Sequence, residues 1–183
     1  MASSRFLRQA GLVNQKALMS KNILISGSSI GVSNLLLLLD QIGFGHGHGS
    51  ITIIRPTQPP KSPFLRLCYP NVETWNELAK ECQSKVIIAE TITSQEQFDY
   101  HLSMNPLNSC QADLYSYFSG PRCKISREYL SVEVNEDHII HYAISVVAAT
   151  AMIHQMLKDL QLSLIHISEP TRPRLISYAV FCL

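Results

Sequence analysis

The residues best suited to chemistry lie between Asn22 and Arg55, in the stretch NILISGSSIGVSNLLLLLDQIGFGHGHGSITIIR. Gly27, Ser28 and Gly31 make a small-residue turn between a short apolar run and a longer apolar block. The free backbone N–H groups of such a turn and the positive end of the helix after it both face an anion, so the natural ligand is a phosphate. Against the dinucleotide pattern G-x-G-x-x-G the chain reads Ser26-Gly27-Ser28-Ser29-Ile30-Gly31, and only the third glycine is in place. A serine at the second position puts a side chain where the backbone should approach a pyrophosphate. Two readings stand: a nucleotide loop, or a crossover that kept its packing glycine and lost its ligand. His46 and His48 stand two apart among glycines, with no carboxylate or cysteine beside them. A floppy surface turn fits them better than a metal site.

The elements that position this turn follow from periodicity. Ile23 to Ile25 form an apolar run suited to a strand buried on both faces, and Val32 to Ile42 suit a helix packed on a sheet. Gly43 and Gly45 stop that helix, and Ile51 to Ile54 supply a second, parallel strand, which completes a right-handed crossover. Pro56 to Pro70 holds five prolines and is expected to be an extended loop. Val72 to Cys82 is an amphipathic helix with Val72, Trp75, Leu78, Ala79 and Cys82 on one face. Val86 to Ile92 reads as a third strand. Thr93 to Leu102 begins like a capped helix, with Thr93 or Ser94 as N-cap. Ala112 to Phe118 reads as a fourth strand, and Tyr129 to Val134 alternates like another. Glu136 to Leu160 is the longest helical pattern, with His138, His141 and His154 on or near it as core or surface residues rather than ligands.

A chain of 183 residues suits one domain, and 46% hydrophobic residues with 16% charged ones allow a sizeable core. A net charge of +1 without a basic cluster argues against nucleic acid as the main partner. The cysteines at 68, 82, 110, 123 and 182 form no C-x-x-C pair, so neither zinc nor a redox motif is indicated and a reduced, cytoplasmic setting is expected. Cys110 and Cys123 read as buried small residues. No apolar run reaches the length of a membrane span, and residues 1–9 hold no hydrophobic signal core. Leu162 to Leu183 looks like a translated sequencing-library adapter. LSLIHISEPTR and ISYAVFCL are its two blocks, and Pro173, Arg174 and Leu175 stand as the index between them. The expected domain therefore spans residues 1–161, and the tail from Leu162 should lie outside the core.

Ahead of the first strand stands SRFLRQ, followed by Gly11, Gln15 and Leu18. With Arg5, Phe6, Arg8 and Gln9 in the pattern R-[FY]-x-R-Q before a glycine-turn crossover, residues 4–160 resemble the ThiF, MoeB and HesA group and the ubiquitin-activating enzymes. The resemblance implies a Rossmann-like α/β fold, a mostly parallel sheet flanked by helices. It also implies a dimer that activates the C-terminal carboxylate of a ubiquitin-like or sulfur-carrier protein with ATP and magnesium. Arg8 would then reach the partner subunit's ATP phosphates. Arg66, in Ser62-Pro-Phe-Leu-Arg66, falls on the phosphate arginine of the S-N-L-x-R-Q segment. Lys80 falls within one residue of the phosphate lysine, or is an ordinary helix lysine. By the same likeness Gly27, Ser28 and Gly31 would cradle the nucleotide.

Two departures set this chain apart. Arg55 stands where the family holds the ribose with aspartate, and a guanidinium can only donate and favours phosphate. It suits the 2′-phosphate of NADPH, or marks a site no longer used. The family's fourth strand carries A-D-[LV]-V-[LIV]-D-x-T-D-N, whose second aspartate after the strand binds magnesium. Aligned at Ala112, that region reads Ser119-Gly120-Pro121; aligned at Val86, Ile92 takes the aspartate's place. The carboxylate is absent either way. The expected function is a degenerate or partner-dependent adenylating subunit with weak or lost ATP binding, in a homo- or heterodimer. The alternative is an NADPH-binding reductase.

Overall fold

The strand that organises the molecule is β1 (Asn22–Gly27), whose apolar run is buried on both faces and whose two edges are both paired. The computed structural model describes residues 12–92, 97–106, 111–119, 121–131 and 140–162. β1 pairs in parallel with β2 (Ser50–Ile54) on one edge and with β4 (Tyr100–Met104) on the other. Beyond these lie β3 (Val86–Ala89), parallel to β2, and β5 (Leu114–Ser119), parallel to β4. β6 (Arg122–Ser126) closes the far side antiparallel to β5, so the order is β3-β2-β1-β4-β5-β6. This is an α/β fold with the Rossmann-like, mostly parallel sheet that the crossover pattern leads one to expect.

α2 (Ser29–Ile42) connects β1 to β2 and ends at Gly43. The short α1 (Gln15–Leu18) precedes β1, and α3 (Pro63–Cys68) and α4 (Trp75–Glu81) lie between β2 and β3. α5 (Ile140–Asp159) packs on α2 and across β5 and β6. Thr74 and Glu77 form a capping box at the start of α4: the Thr74 hydroxyl accepts from Glu77 N and Glu77 accepts from Thr74 N. The two sheet faces differ in chemistry. Ile23, Ile25, Ile51, Ile53, Leu102, Met104 and Phe118 join α2, α4 and α5 in one apolar cluster. The strand alternation puts Leu24, Ser26, Thr52, His101, Ser103, Tyr115 and Tyr117 on the opposite face, all buried and most of them polar.

Several expectations are corrected. The proline-rich stretch contains α3, because Pro63 enters at the first helical position, where its fixed φ helps and its missing N–H costs nothing. The segment expected to be helical up to Leu102 holds β4 from Tyr100, and residues 93–96 lie outside the described ones. Ala112 to Phe118 is the fifth strand of the chain rather than the fourth. Tyr129 to Ser131 is not strand, while Arg122 to Ser126, which carries no strand signature, is; residues 132–139 lie outside the described ones. Cys123 on β6 is exposed, not buried, and Cys110 lies outside the described residues.

The histidine loop is pinned rather than floppy. His46 Nε2 lies 3.0 Å from the Asp40 carbonyl oxygen and 3.3 Å from its carboxylate, and Gly49 N donates to Met19 O. The buried Asp40 carboxylate also accepts from Ser84 N and Ser84 Oγ, which ties the end of α2 to the start of β3. Leu162, the first residue of the adapter match, belongs to the core: it is 3% exposed and its carbonyl accepts from Asn14 N. A leucine at that position fills the end of the cluster whatever its origin. Residues 163–183 lie outside the described ones.

Candidate functional site

In an open α/β sheet a ligand binds at the carboxyl ends of the strands where the connection order reverses, here between β1 and β4. The sequence candidates Gly27, Ser28 and Gly31 all lie at this point. Gly27 ends β1 with φ +119°, and a Cβ there would stand 1.8 Å from the Met104 carbonyl oxygen. Ser28 N donates to that same oxygen at 2.8 Å, so the turn lies directly on the end of β4. A Cβ on Gly31 would stand 2.7 Å from Met104 Cβ. Both glycines are thus explained by the close approach of the turn to Met104, without a ligand.

The helix end that would receive a phosphate is capped at one N–H and covered on its side by the protein itself. Ser28 is the N-cap of α2, and its hydroxyl accepts from Gly31 N at 3.3 Å. The segment after β2 lies across the first turns of α2. Ser29 Oγ donates to the Pro59 carbonyl, Lys61 N donates to Ser33 Oγ, and Ser62 Oγ donates to Asn34 Oδ1 at 2.6 Å. Trp75 Nε1 donates to the Gln58 carbonyl and anchors the same segment to α4. Asn34 in turn donates to Ser145 Oγ on α5, so the cover is fastened to the helical layer. Ser28 and Ser29 are left only 3% and 5% exposed.

The remaining candidates are not gathered at this turn. Arg55 is 54% exposed at its side chain, and its guanidinium meets Glu90 at 3.3 Å beyond the end of β3. Arg66 and Lys80 are exposed on α3 and α4, and Lys80 lies near Glu77, whose carboxyl is held low chiefly by hydrogen bonds from Glu73 N and Thr74 N. Arg8 lies outside the described residues. Of the two positions that the resemblance aligns with the magnesium carboxylate, Ile92 is exposed after β3 and Gly120 lies outside the described residues. β4 is followed by Asn105 and Pro106. Asn105 is 1% exposed and turned inward: its Oδ1 accepts from Phe118 N and its Nδ2 donates to Phe118 O, which extends the β4–β5 pairing. Among the described residues no group of three histidines, cysteines or acids could hold a metal ion.

Sequence reading missed one polar cluster. Ser26 Oγ lies 2.8 Å from His101 Nε2 and 3.0 Å from Ser103 Oγ, across the β1–β4 seam. His101 Nδ1 lies 2.6 Å from the Gln111 carbonyl, which can only accept. Nδ1 therefore carries the proton, Nε2 accepts, and the Ser26 hydroxyl donates to it. Burial lowers the His101 pKa and keeps the ring neutral. This is the connectivity of a base and a nucleophile, but Ser26 and His101 are only 5% and 8% exposed. In that setting the pair works as a cross-strand clamp. A strand reading of Tyr100-His101-Leu102-Ser103-Met104 would have revealed it, since His101 and Ser103 stand two apart on one face.

The chain matches no known family model and no curated protein.

Proposed function

We propose that this chain is a catalytically degenerate, partner-dependent member of the ThiF and ubiquitin-activating-like group. It serves as the supporting half of an assembly that adenylates the C-terminus of a ubiquitin-like or sulfur-carrier protein. The observation that carries this reading is the sealed N-terminus of α2, where Ser28 caps the helix and the Pro59–Ser62 segment lies over it. Adenylation depends on cations that neutralise charge on the phosphates, and each such contact is worth roughly two to three decades in rate. A turn whose Gly31 N–H is capped by Ser28 and whose helix lies under the Pro59–Ser62 segment suits a subunit that leaves that chemistry to its partner. Arg8 is the residue that this role needs, because in the resembled group it acts across the subunit interface. The SRFLRQ opening favours this reading over an NADPH reductase, and Arg55, the residue proposed for a 2′-phosphate, is engaged with Glu90.

Isothermal titration should show ATP binding no tighter than about millimolar. The isolated chain should not exchange labelled pyrophosphate into ATP with any ubiquitin-like protein offered. In an assembly with a catalytic partner, Arg8→Ala should slow that exchange. Micromolar ATP binding or exchange by the chain alone would refute the proposal, as would an undiminished Arg8→Ala assembly. NADPH binding clearly tighter than NADH would instead support the reductase.

A further inference from the structure

β6 ends the sheet, and among the described residues nothing pairs with its outer edge. Beside it an open groove of about 840 Å³ runs between the β5–β6 end of the sheet and the outer side of α5. Leu114 and Ile125 line its sheet side, and Val146, Val147, Thr150 and Ala151 line its helix side. Val147 is 54% exposed there, an uncovered apolar side chain in the middle of a helix.

The strand alternation sorts β6 into two chemistries. Ile125 turns to the groove, so Arg122 and Lys124 lie on the other face, both exposed, while Arg127 lines the groove and is bound to Asp159. Of the nearby acids, Glu128 is exposed, while Asp159 is held by Arg127, Tyr100 and Gln155. A strand added to this edge would place alternate residues over the groove and the intervening ones beside Arg122 and Lys124.

We propose that the β6 edge and its groove bind an extended polypeptide segment of a partner protein in which acidic and apolar residues alternate, added to the sheet as a seventh strand. Main-chain hydrogen bonds hold it, its apolar residues enter the groove, and its acids meet the cations. Charge disfavours self-pairing of this edge in the two registers centred on Cys123 and Lys124. Antiparallel self-pairing centred on Lys124 sets Lys124 against Lys124, and pairing centred on Cys123 sets Arg122 against Lys124. Like charges directly opposite destabilise a pair. The site lies two strands beyond β4 and makes no use of the nucleotide turn.

The test uses the full chain with a synthetic capped peptide of alternating Glu and Val, and a Lys and Val counterpart. Binding is read by fluorescence anisotropy, and backbone protection by hydrogen exchange. The acidic peptide should bind roughly tenfold or more tighter than the basic one, weaken with added salt, and slow exchange over residues 122–126. Arg122→Glu with Lys124→Glu should reverse the preference without lowering the melting temperature. Val147→Glu, at an exposed position, should weaken both peptides. Cationic edges also guard sheets against pairing, and that role predicts no binding at all. The proposal is overturned by failure to bind the acidic peptide, by protection elsewhere, by a preference indifferent to the charge reversal, or by self-association through β6.

Discussion

Replacing Gly27 with alanine tests the account of the turn most directly. At φ +119° an alanine is strained, which costs about 1–2 kcal/mol. Its Cβ would stand 1.8 Å from the Met104 carbonyl oxygen and 2.6 Å from the carbonyl carbon, so backbone rather than a flexible side-chain tip must yield. Overpacking of that kind costs about 1–3 kcal/mol. Separating the strands also breaks the Ser28 N–H bond to Met104 O, worth about 1 kcal/mol. The sum, about 3–6 kcal/mol, is a large part of a typical domain's stability. In urea, with an m-value of about 2 kcal/mol/M, the unfolding midpoint should fall by roughly 1.5–3 M. Gly31→Ala should cost less, about 1–2 kcal/mol, because its clash with Met104 Cβ is offset by alanine's better helix propensity. A Gly27→Ala midpoint within about 0.3 M of the parent, or a larger loss for Gly31→Ala, would refute the close approach of turn and strand.

Truncation after Leu162 should leave the melting temperature unchanged, whereas removing Leu162 as well should lower it by roughly 5–10 °C, which scanning calorimetry can read. Burial lowers the folded pKa of His101, so the unfolded chain binds the extra proton first and stability falls as pH drops below the ordinary histidine value of 6.5. Urea midpoints across pH 5 to 7.5 should show that loss, and His101→Gln should flatten it. Burial and the Asp40 charge push the Cys82 thiol up to about 12, so iodoacetamide at pH 8 should label Cys68 in the native protein and spare Cys82 until it unfolds, as mapped by mass spectrometry.

The first half of the fold was legible because its signals are local. Gly43 and Gly45 punctuate the helix, and the run Ile23 to Ile25 has the length and apolarity of a strand buried on both faces. The second half was not, because tertiary partners decide it. Tyr100 to Met104 alternates polar and apolar residues, yet both faces are buried, and the buried His101 finds its partners in the Gln111 carbonyl and in Ser26, 75 residues away. β6 is an edge strand held by β5, so nothing in Arg-Cys-Lys-Ile-Ser itself announces it. At the site the turn was found from sequence but its closure was not. The covering bonds join Ser29 to Pro59 and Asn34 to Ser62, and their partners are common loop residues with no distinctive spacing.

The placement of β4 beside β1 has a consequence for how the chain is made. Ser26 and Ser103, which face each other across the seam, are 77 residues apart, and the β1–β2 crossover is complete long before β4 exists. At synthesis rates of 5–20 residues per second, the β4-facing edge of Asn22-Ile23-Leu24-Ile25 waits about 4–15 s for its partner. During that wait it is an unpaired, strongly apolar strand edge, the kind that recruits strands from other chains. The nascent chain is therefore most prone to aggregation after Ile54 emerges and before Met104 does, and holdase chaperones should engage it in that interval.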